Sequence, residues 1–493
     1  MAKNTSQVDS TSLAYEAMAA KWDMLDDLLG GTAAMREAAT KWLPQEPAEE
    51  QLAYECRLAR SVLYNAYSDT IEKLSAKPFT KPITITNLPD VLKYLETDVD
   101  KTGRSLTQLG KDLLHDMVNY GKTHLFPDFS YIPQNETDNK ASIEDEKKVG
   151  ARAILTHVSP ENLISWQTTT DIFGNITLIQ IVIREVRTEA DGTYGDKTIE
   201  YYKVVHPGDW ERWQKVVNDK GEVSFISAGS GKLTLGYIPL ITIYAQRTGY
   251  LTADPPLEDL AWLNITHWQS MSDQRNILRF ARFGILFGKG FTKEEVKRGY
   301  AIGPSQAILS SDPNADLKYA EHNGAAIGAG EKDLESLENR MEILGLQPMA
   351  KNTAATTATG KNIDEARNNS SIQAWIRALE TGLRDAIKIA AEWHRITLAD
   401  MFALDIFSDF AATLYTIDDL TQLLAMRQAK QISQETYLKE IKRRGVLSED
   451  VDIPEEIART EQESPGLGDI LAGDMDNDGD GGGDGSGQPP VTE

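Results

Sequence analysis

The chain has 493 residues, roughly three modules at about 150 residues each, so a single small fold is excluded. Its 75 acidic and 51 basic residues give a net charge of −24 and a pI near 4.8. That balance excludes nucleic-acid binding through a broad basic face, though not through small local basic patches. The single cysteine, Cys56, excludes an internal disulfide and a cysteine-based zinc site.

Residues Met1–Gln7 lack the basic-then-apolar layout of a secretory leader. The longest uncharged run, Leu233–Gln246, is shorter than the about 20 apolar residues of a membrane helix. A soluble, internally made chain is therefore predicted. The N-terminal third reads helical. Met18, Trp22, Leu25 and Leu29 share one face, with Gly30-Gly31 as a stop. Thr32 is placed as the cap of a second short helix with Met35, Ala38 and Trp42. One long helix is predicted over Ala48–Leu74, with Cys56 inside its buried stripe of Leu52, Ala59, Leu63 and Ala66. Ser105 caps the next, which carries Leu106, Leu109, Leu113 and Met117 and ends at Gly121.

From Lys122 to Arg247 the texture changes. Ile176–Val186, Thr198–Val205 and Tyr237–Tyr244 are rich in Ile, Val, Thr and Tyr, and Asp191-Gly192, Pro207-Gly208 and Lys220-Gly221 are turn signals between them. An antiparallel sheet follows. The charged stretch Asn135–Lys148 is read as a mobile loop. Asp254-Pro255-Pro256 then opens a long helix with a carboxylate cap and an early proline. Its stripe of Leu260, Asn264, Trp268, Met271, Arg275 and Leu278 is interrupted by polar members, which suits contact with another subunit. Phe283–Phe291, Ala307–Ser310 and Leu317–Glu321 read as strands around a short helix at Thr292–Gly299. A second long helix spans Glu331–Leu344 and stops at Gly345.

Thr353–Gly360 holds no charge and is rich in threonine, so it is read as a loop. Ile372, Trp375, Leu379, Leu383, Ala386, Ala390 and Trp393 mark a helix running to Leu398. Asp418–Gln428 and Gln434–Arg444 form a helix pair. From Glu461 onward there are nine acids and no lysine or arginine, which predicts a disordered tail.

The local motifs weigh against enzymatic or cofactor chemistry. Gly324–Lys332 has the glycines of a phosphate loop, but Glu331 stands where Lys-Ser/Thr belongs. Asp474, Asp476, Asp478 and Gly479 match half of a calcium loop, whose twelfth position is Gly485 instead of Glu. The seven histidines show no metal-ligand spacing, and no nucleophile elbow occurs. No enzyme, catalytic residue, cofactor or metal is predicted. The helix pair with Lys439, Lys442, Arg443 and Arg444 is open to two interpretations, a capping α-hairpin or a DNA-reading helix-turn-helix.

Taken in order, Trp22–Gly31, Asp254–Met271 and Thr357–Glu380 make the chain resemble the portal proteins of tailed double-stranded-DNA bacteriophages, siphophage type, over about residues 10–455. The resemblance implies an α+β portal-type fold. Residues 1–253 would be the wing, helical then β-rich, with an antiparallel sheet. Residues 254–282 and 330–345 would be two stem helices flanking a small clip at 283–329. Residues 346–361 would be a tunnel loop, 362–409 the tunnel helix and wing, 410–460 a helical crown and 461–493 the tail.

It implies a homo-oligomeric ring of twelve subunits at one capsid vertex, through which genomic DNA is packaged and ejected. The implied partners are that DNA, read without sequence specificity, the terminase large subunit, the head–tail adaptor, the major capsid protein and scaffold, with no membrane. The implied location is the virion, and the host cytoplasm during assembly. A channel that lets DNA slide requires few phosphate contacts. Lys351, Asn352, Thr353, Thr356, Thr357 and Lys361 are the candidates for them, and Asn264, Trp268 and Arg275 those for subunit contact. Two alternatives stay open: a head–tail connector that never encloses DNA, and a helix-turn-helix regulator.

Overall fold

The computed structural model describes residues 7–129, 150–283, 285–293, 312–320, 325–345, 358–408, 410, 417–444, 446–448 and 451–463. The chain mixes helix and sheet and falls into two compact units, Met1–Ser408 and Asp409–Glu493.

In the first unit, helix Leu13–Leu29 is capped by Ser12, whose hydroxyl accepts from Tyr15 N, and it buries Met18, Trp22, Met24, Leu25 and Leu28. The long helix expected over Ala48–Leu74 is two helices, Gln51–Arg60 and Ala66–Ala76. Ser61 between them is extended, and Asn65 caps the second by accepting from Ser68 N. The face turned inward on the first is Tyr54 and Arg57, because Arg57 is drawn in by two hydrogen bonds to Glu49, at 2.8 and 2.7 Å. Cys56 is exposed as a result, contrary to its place in the expected stripe.

Helix Leu106–Tyr120 begins at its Ser105 cap and ends at Gly121, which is left-handed at φ +83°. It feeds strand Lys122–Phe129, the centre of a three-stranded antiparallel sheet with Ala153–Val158 and Ile241–Tyr244 on either side. A second sheet is a five-stranded antiparallel meander of Leu163–Thr170, Ile176–Asp191, Gly195–His206, Asp209–Val217 and Val223–Lys232. Gly192, Gly208 and Gly221 sit at its turns with positive φ. One core contains residues of both sheets (Phe126, Val158, Leu163, Ile181, Ile183 and Val205), with Ile389 and Trp393 of a long helix packed against it. That helix runs over Ala358–Trp393, and a Cβ on its Gly382 would come within 2.5 Å of Ile243.

The helix expected from Asp254 begins at Glu258 and runs to Phe283. Each proline pushes the residue before it out of the α region, so the helix starts only beyond the Pro255-Pro256 pair. The Asp254 carboxylate is instead 2.9 Å from Lys21 Nζ, which also contacts Glu258 at 2.9 Å. Strands Ile285–Lys289 and Asp316–Ala320 pair antiparallel with Phe287 opposite Lys318. The next helix spans Ala325–Leu344, so Ala325–Lys332 of the phosphate-loop look-alike are helical.

The helix that starts at Ala358 begins earlier than expected, and Ala358–Gly360 and Lys361 belong to it. Most of the predicted loop around Thr353, the charged stretch 135–148, the elements predicted at 294–310, and the tail from 464 onward with its calcium-loop look-alike lie outside the described residues.

The second unit contains helices Ile417–Gln428, Gln434–Arg443 and Ile453–Glu463, the last not foreseen in the sequence. Ser433 caps the middle one, and Gln434 Nε2 donates to Thr460 Oγ1 at 3.1 Å. Its basic side chains are engaged locally. Lys439 meets Glu435 at 2.7 Å, Arg443 and Arg444 meet Glu440 at 3.1 and 3.6 Å, and Lys442 Nζ donates to Val451 O.

Candidate functional site

The helix Glu258–Phe283 buries Leu260, Ala261, Ile265 and Trp268 in its first half and surfaces in its second. The residues singled out on its stripe divide accordingly. Asn264 is fully buried, accepting from Tyr67 N at 2.9 Å and donating to Tyr64 O at 2.8 Å. Trp268 is also fully buried. Both side chains are buried within their own chain. Arg275 is exposed.

The helices Glu258–Phe283 and Ala325–Leu344 run antiparallel. Gln274 Nε2 donates to Ile327 O at 2.9 Å, while His267 Nε2 is 3.5 Å from Glu338 Oε1, so the numbers run in opposite directions along the pair. Gly330 allows the approach, since a Cβ there would lie 2.1 Å from Gln274 Oε1. His267 is fully buried, and burial holds its pKa below the usual imidazole range although Glu338 pulls the other way.

Where this helix surfaces, a cavity of about 680 Å³ opens between its C-terminal half and helix Gln51–Arg60. Five arginines line it: Arg57, Arg60, Arg275, Arg279 and Arg282. Ser61 and Ser272, hydrogen-bonded to each other at 2.9 Å and both buried, lie among them with Asn276. Arg57 is neutralised by Glu49 and lies 3.7 Å from Asp273. Arg60, Arg275, Arg279 and Arg282 are exposed and have no ion-pair partner among the described residues. Arg275, Arg279 and Arg282 follow an i, i+4, i+7 spacing, one face of a helix. That spacing is legible in the sequence, yet only Arg275 was singled out there, because Arg57 and Arg60 join the group through the fold.

A second buried basic group is Lys122, whose Nζ donates to Leu251 O at 2.7 Å and faces the rings of Trp22 and Trp166 at 5.9 and 5.2 Å. Burial pushes its pKa down to about 7. Between that value and the unfolded value of about 10.4 the unfolded chain holds the extra proton, so folding stability rises with pH over this interval. Replacing Lys122 by methionine is expected to abolish that rise. The stability of the native chain minus that of Lys122→Met should grow by up to about 1.4 kcal/mol per unit from pH 7 to 10 in denaturant titrations. Parallel profiles would show that the ammonium finds water in the folded state.

Of the candidates for DNA contact, Lys351, Asn352, Thr353, Thr356 and Thr357 lie outside the described residues, and Lys361 is in the first turn of its helix. Among the described residues no group of three or more His, Cys, Asp or Glu side chains could hold a metal ion, and no helix is long and apolar enough to cross a membrane.

A family model described as a domain of unknown function (DUF4055) matches residues 256–394, the stretch that begins at the first of the antiparallel helices and ends with Ala358–Trp393. No curated protein matches. Three solved structures are similar in part. The neck of an empty gene transfer agent particle computed with C6 symmetry is 13 % identical, with TM-score 0.40, covering 75 % of this chain and 87 % of that one. The virion of a native gene transfer agent particle is 12 % identical, with TM-score 0.42, covering 76 % and 88 %. The neck of the native particle computed with C12 symmetry is 13 % identical, with TM-score 0.41, covering 75 % and 87 %. At these values the likenesses do not by themselves establish a common fold.

Proposed function

We propose that this chain is a portal-type subunit: identical copies close into a ring, expected to be twelvefold, at one capsid vertex, and double-stranded DNA passes through it. The observation that carries this reading is the antiparallel pair Glu258–Phe283 and Ala325–Leu344, joined through the paired strands Ile285–Lys289 and Asp316–Ala320. That is the stem-and-clip order the portal resemblance implies. The wing is then residues 1–253, with its sheets packed beside the helix that follows the threonine-rich segment. Terminase and later the head–tail adaptor dock at the strand pair, and the capsid protein and scaffold meet the wing. The chain acts as a conduit and carries out no catalysis.

Ring closure uses heterologous contacts, one surface of each copy meeting a different surface of the next. Images of the purified chain viewed down the particle axis are expected to show a central hole. Native mass measurement is expected to give about 656 kDa for twelve copies of a 54.7 kDa chain. A solitary 54.7 kDa species at every concentration, or a closed globule, would overturn the proposal.

A further inference from the structure

We propose that the arginine cavity between helix Gln51–Arg60 and the C-terminal half of helix Glu258–Phe283 binds the phosphodiester backbone of double-stranded DNA. It is distinct from the threonine-rich segment to which the resemblance assigns that contact. The proposal deepens the portal reading, which supplies the duplex and, because DNA must slide, limits the contact at any moment to the few copies that face a passing strand; the cavity itself stands on its own geometry.

Arg275, Arg279 and Arg282 repeat along one helical face with rises of about 6 and 4.5 Å, and so span about 10.5 Å. That length covers roughly three phosphates of one strand at 3.4 Å rise each. The fourth exposed arginine, Arg60, comes from the neighbouring helix and faces the same space. Folding does not account for the group. Like charges four apart on a helix are unfavourable by a few tenths of a kcal/mol, and no carboxylate among the described residues pairs with any of these four.

The C-terminal ends of both helices attract cations, but each end carries only about half a charge. Those two ends, with Glu49 and Asp273, offset about three of the five guanidinium charges. About two positive charges remain in a concavity of a chain with net charge −24.

The residue type narrows the ligand. All five basic groups are arginine and none is lysine. Arginine's planar fork binds phosphate oxygens bidentately, where lysine acts only as a point charge. The cavity is also lined by Asn276 and by Ser272, whose hydroxyl accepts from Ser61 and keeps its own proton to donate, and both suit phosphate oxygens. A phosphodiester track brings one negative charge per arginine without a side-chain stem, so it can lie along the stripe instead of entering it at one point.

The test uses the full chain in its assembled form and a short mixed-sequence duplex as probe. Arg275→Gln with Arg279→Gln and Arg282→Gln is expected to weaken duplex binding at low salt on the order of ten- to a hundredfold. It should also flatten the slope of log affinity against log salt by about 2.7 for each copy that touches the duplex, or 0.9 per lost phosphate contact. Arg279→Lys alone is expected to keep the slope while losing part of the affinity, because charge remains and the fork does not.

If the triple variant fails to fold, Arg60→Gln and Arg279→Gln, tested singly, should each remove about 0.9 from the slope for each copy that touches the duplex. Unchanged affinity and slope in variants of native mass would overturn the proposal. So would variants that fall apart into smaller species while binding duplex as before, since the arginines would then be holding a neighbouring copy. Failure of the portal reading looks different: no ring in images of the native chain, whatever the cavity binds.

Discussion

Gly121→Ala is expected to destabilise the first unit by about 3–5 kcal/mol and to lower its melting temperature by roughly 4–6 °C. Two independent costs meet at this position. The backbone is left-handed at φ +83°, which an alanine tolerates poorly, and an added Cβ would lie 2.1 Å from the carbonyl oxygen of Asp254 and 2.6 Å from its carbon. Those atoms are backbone and cannot rotate away as a side chain would. Gly121 also anchors the joint through its own carbonyl, which accepts from Ala245 N and Gln246 N at 2.8 and 3.2 Å. It therefore locks the end of helix Leu106–Tyr120, the central strand of the small sheet and the Pro255-Pro256 entry to the long helix into one corner. Gly103→Ala is the control. Its φ is +85° but nothing lies within 4 Å of the new methyl, so only the conformational cost of about 1–2 kcal/mol applies. Equal melting shifts for the two variants would show that the Asp254 carbonyl gives way.

Asn264→Leu is expected to cost about 1–3 kcal/mol and to expose the Tyr67 amide to solvent exchange. The native side chain is fully buried and spends both its ends on backbone, accepting from Tyr67 N and donating to Tyr64 O. Leucine fills the space but leaves the buried Tyr67 N–H unpaired, at a cost of about 1–3 kcal/mol, whereas Tyr64 O still accepts from Ala66 N at 2.9 Å. These two backbone groups lie where the chain turns between helices Gln51–Arg60 and Ala66–Ala76, so Asn264 clamps that break onto the long helix. A clamp inside one chain predicts that Asn264→Leu lowers the melting temperature yet keeps the native particle mass at permissive temperature. Loss of mass with an unchanged melting temperature would return Asn264 to the subunit interface.

The two outcomes illustrate why polar members of an apolar stripe are ambiguous in a sequence. Asn264 and Arg275 occupy the same stripe eleven residues apart. One turns to a backbone gap that exists only because the preceding helix breaks at Ser61, and the other emerges into solvent beside Arg60. Nothing local to either residue distinguishes these fates.

What the order of amino acids determined by itself was set by short-range chemistry. Ser105 caps its helix because a hydroxyl one residue before an amphipathic run meets the free amides of the first turn. Gly121, Gly192, Gly208 and Gly221 mark turns because only glycine takes positive φ without strain. The β-rich middle and the two long helices around a strand pair followed from periodicity. Tertiary structure alone decided where long-range partners override those signals. Arg57, drawn inward by Glu49, left Cys56 outside; the proline pair delayed the long helix to Glu258; and Gly330, read within a phosphate-loop look-alike, serves instead to let two helices touch at Gln274. The arginine cavity belongs to the same class. Three of its residues are a visible stripe, but a concave site needs a second wall, and Gln51–Arg60 reaches it only when residues some two hundred positions apart are packed together.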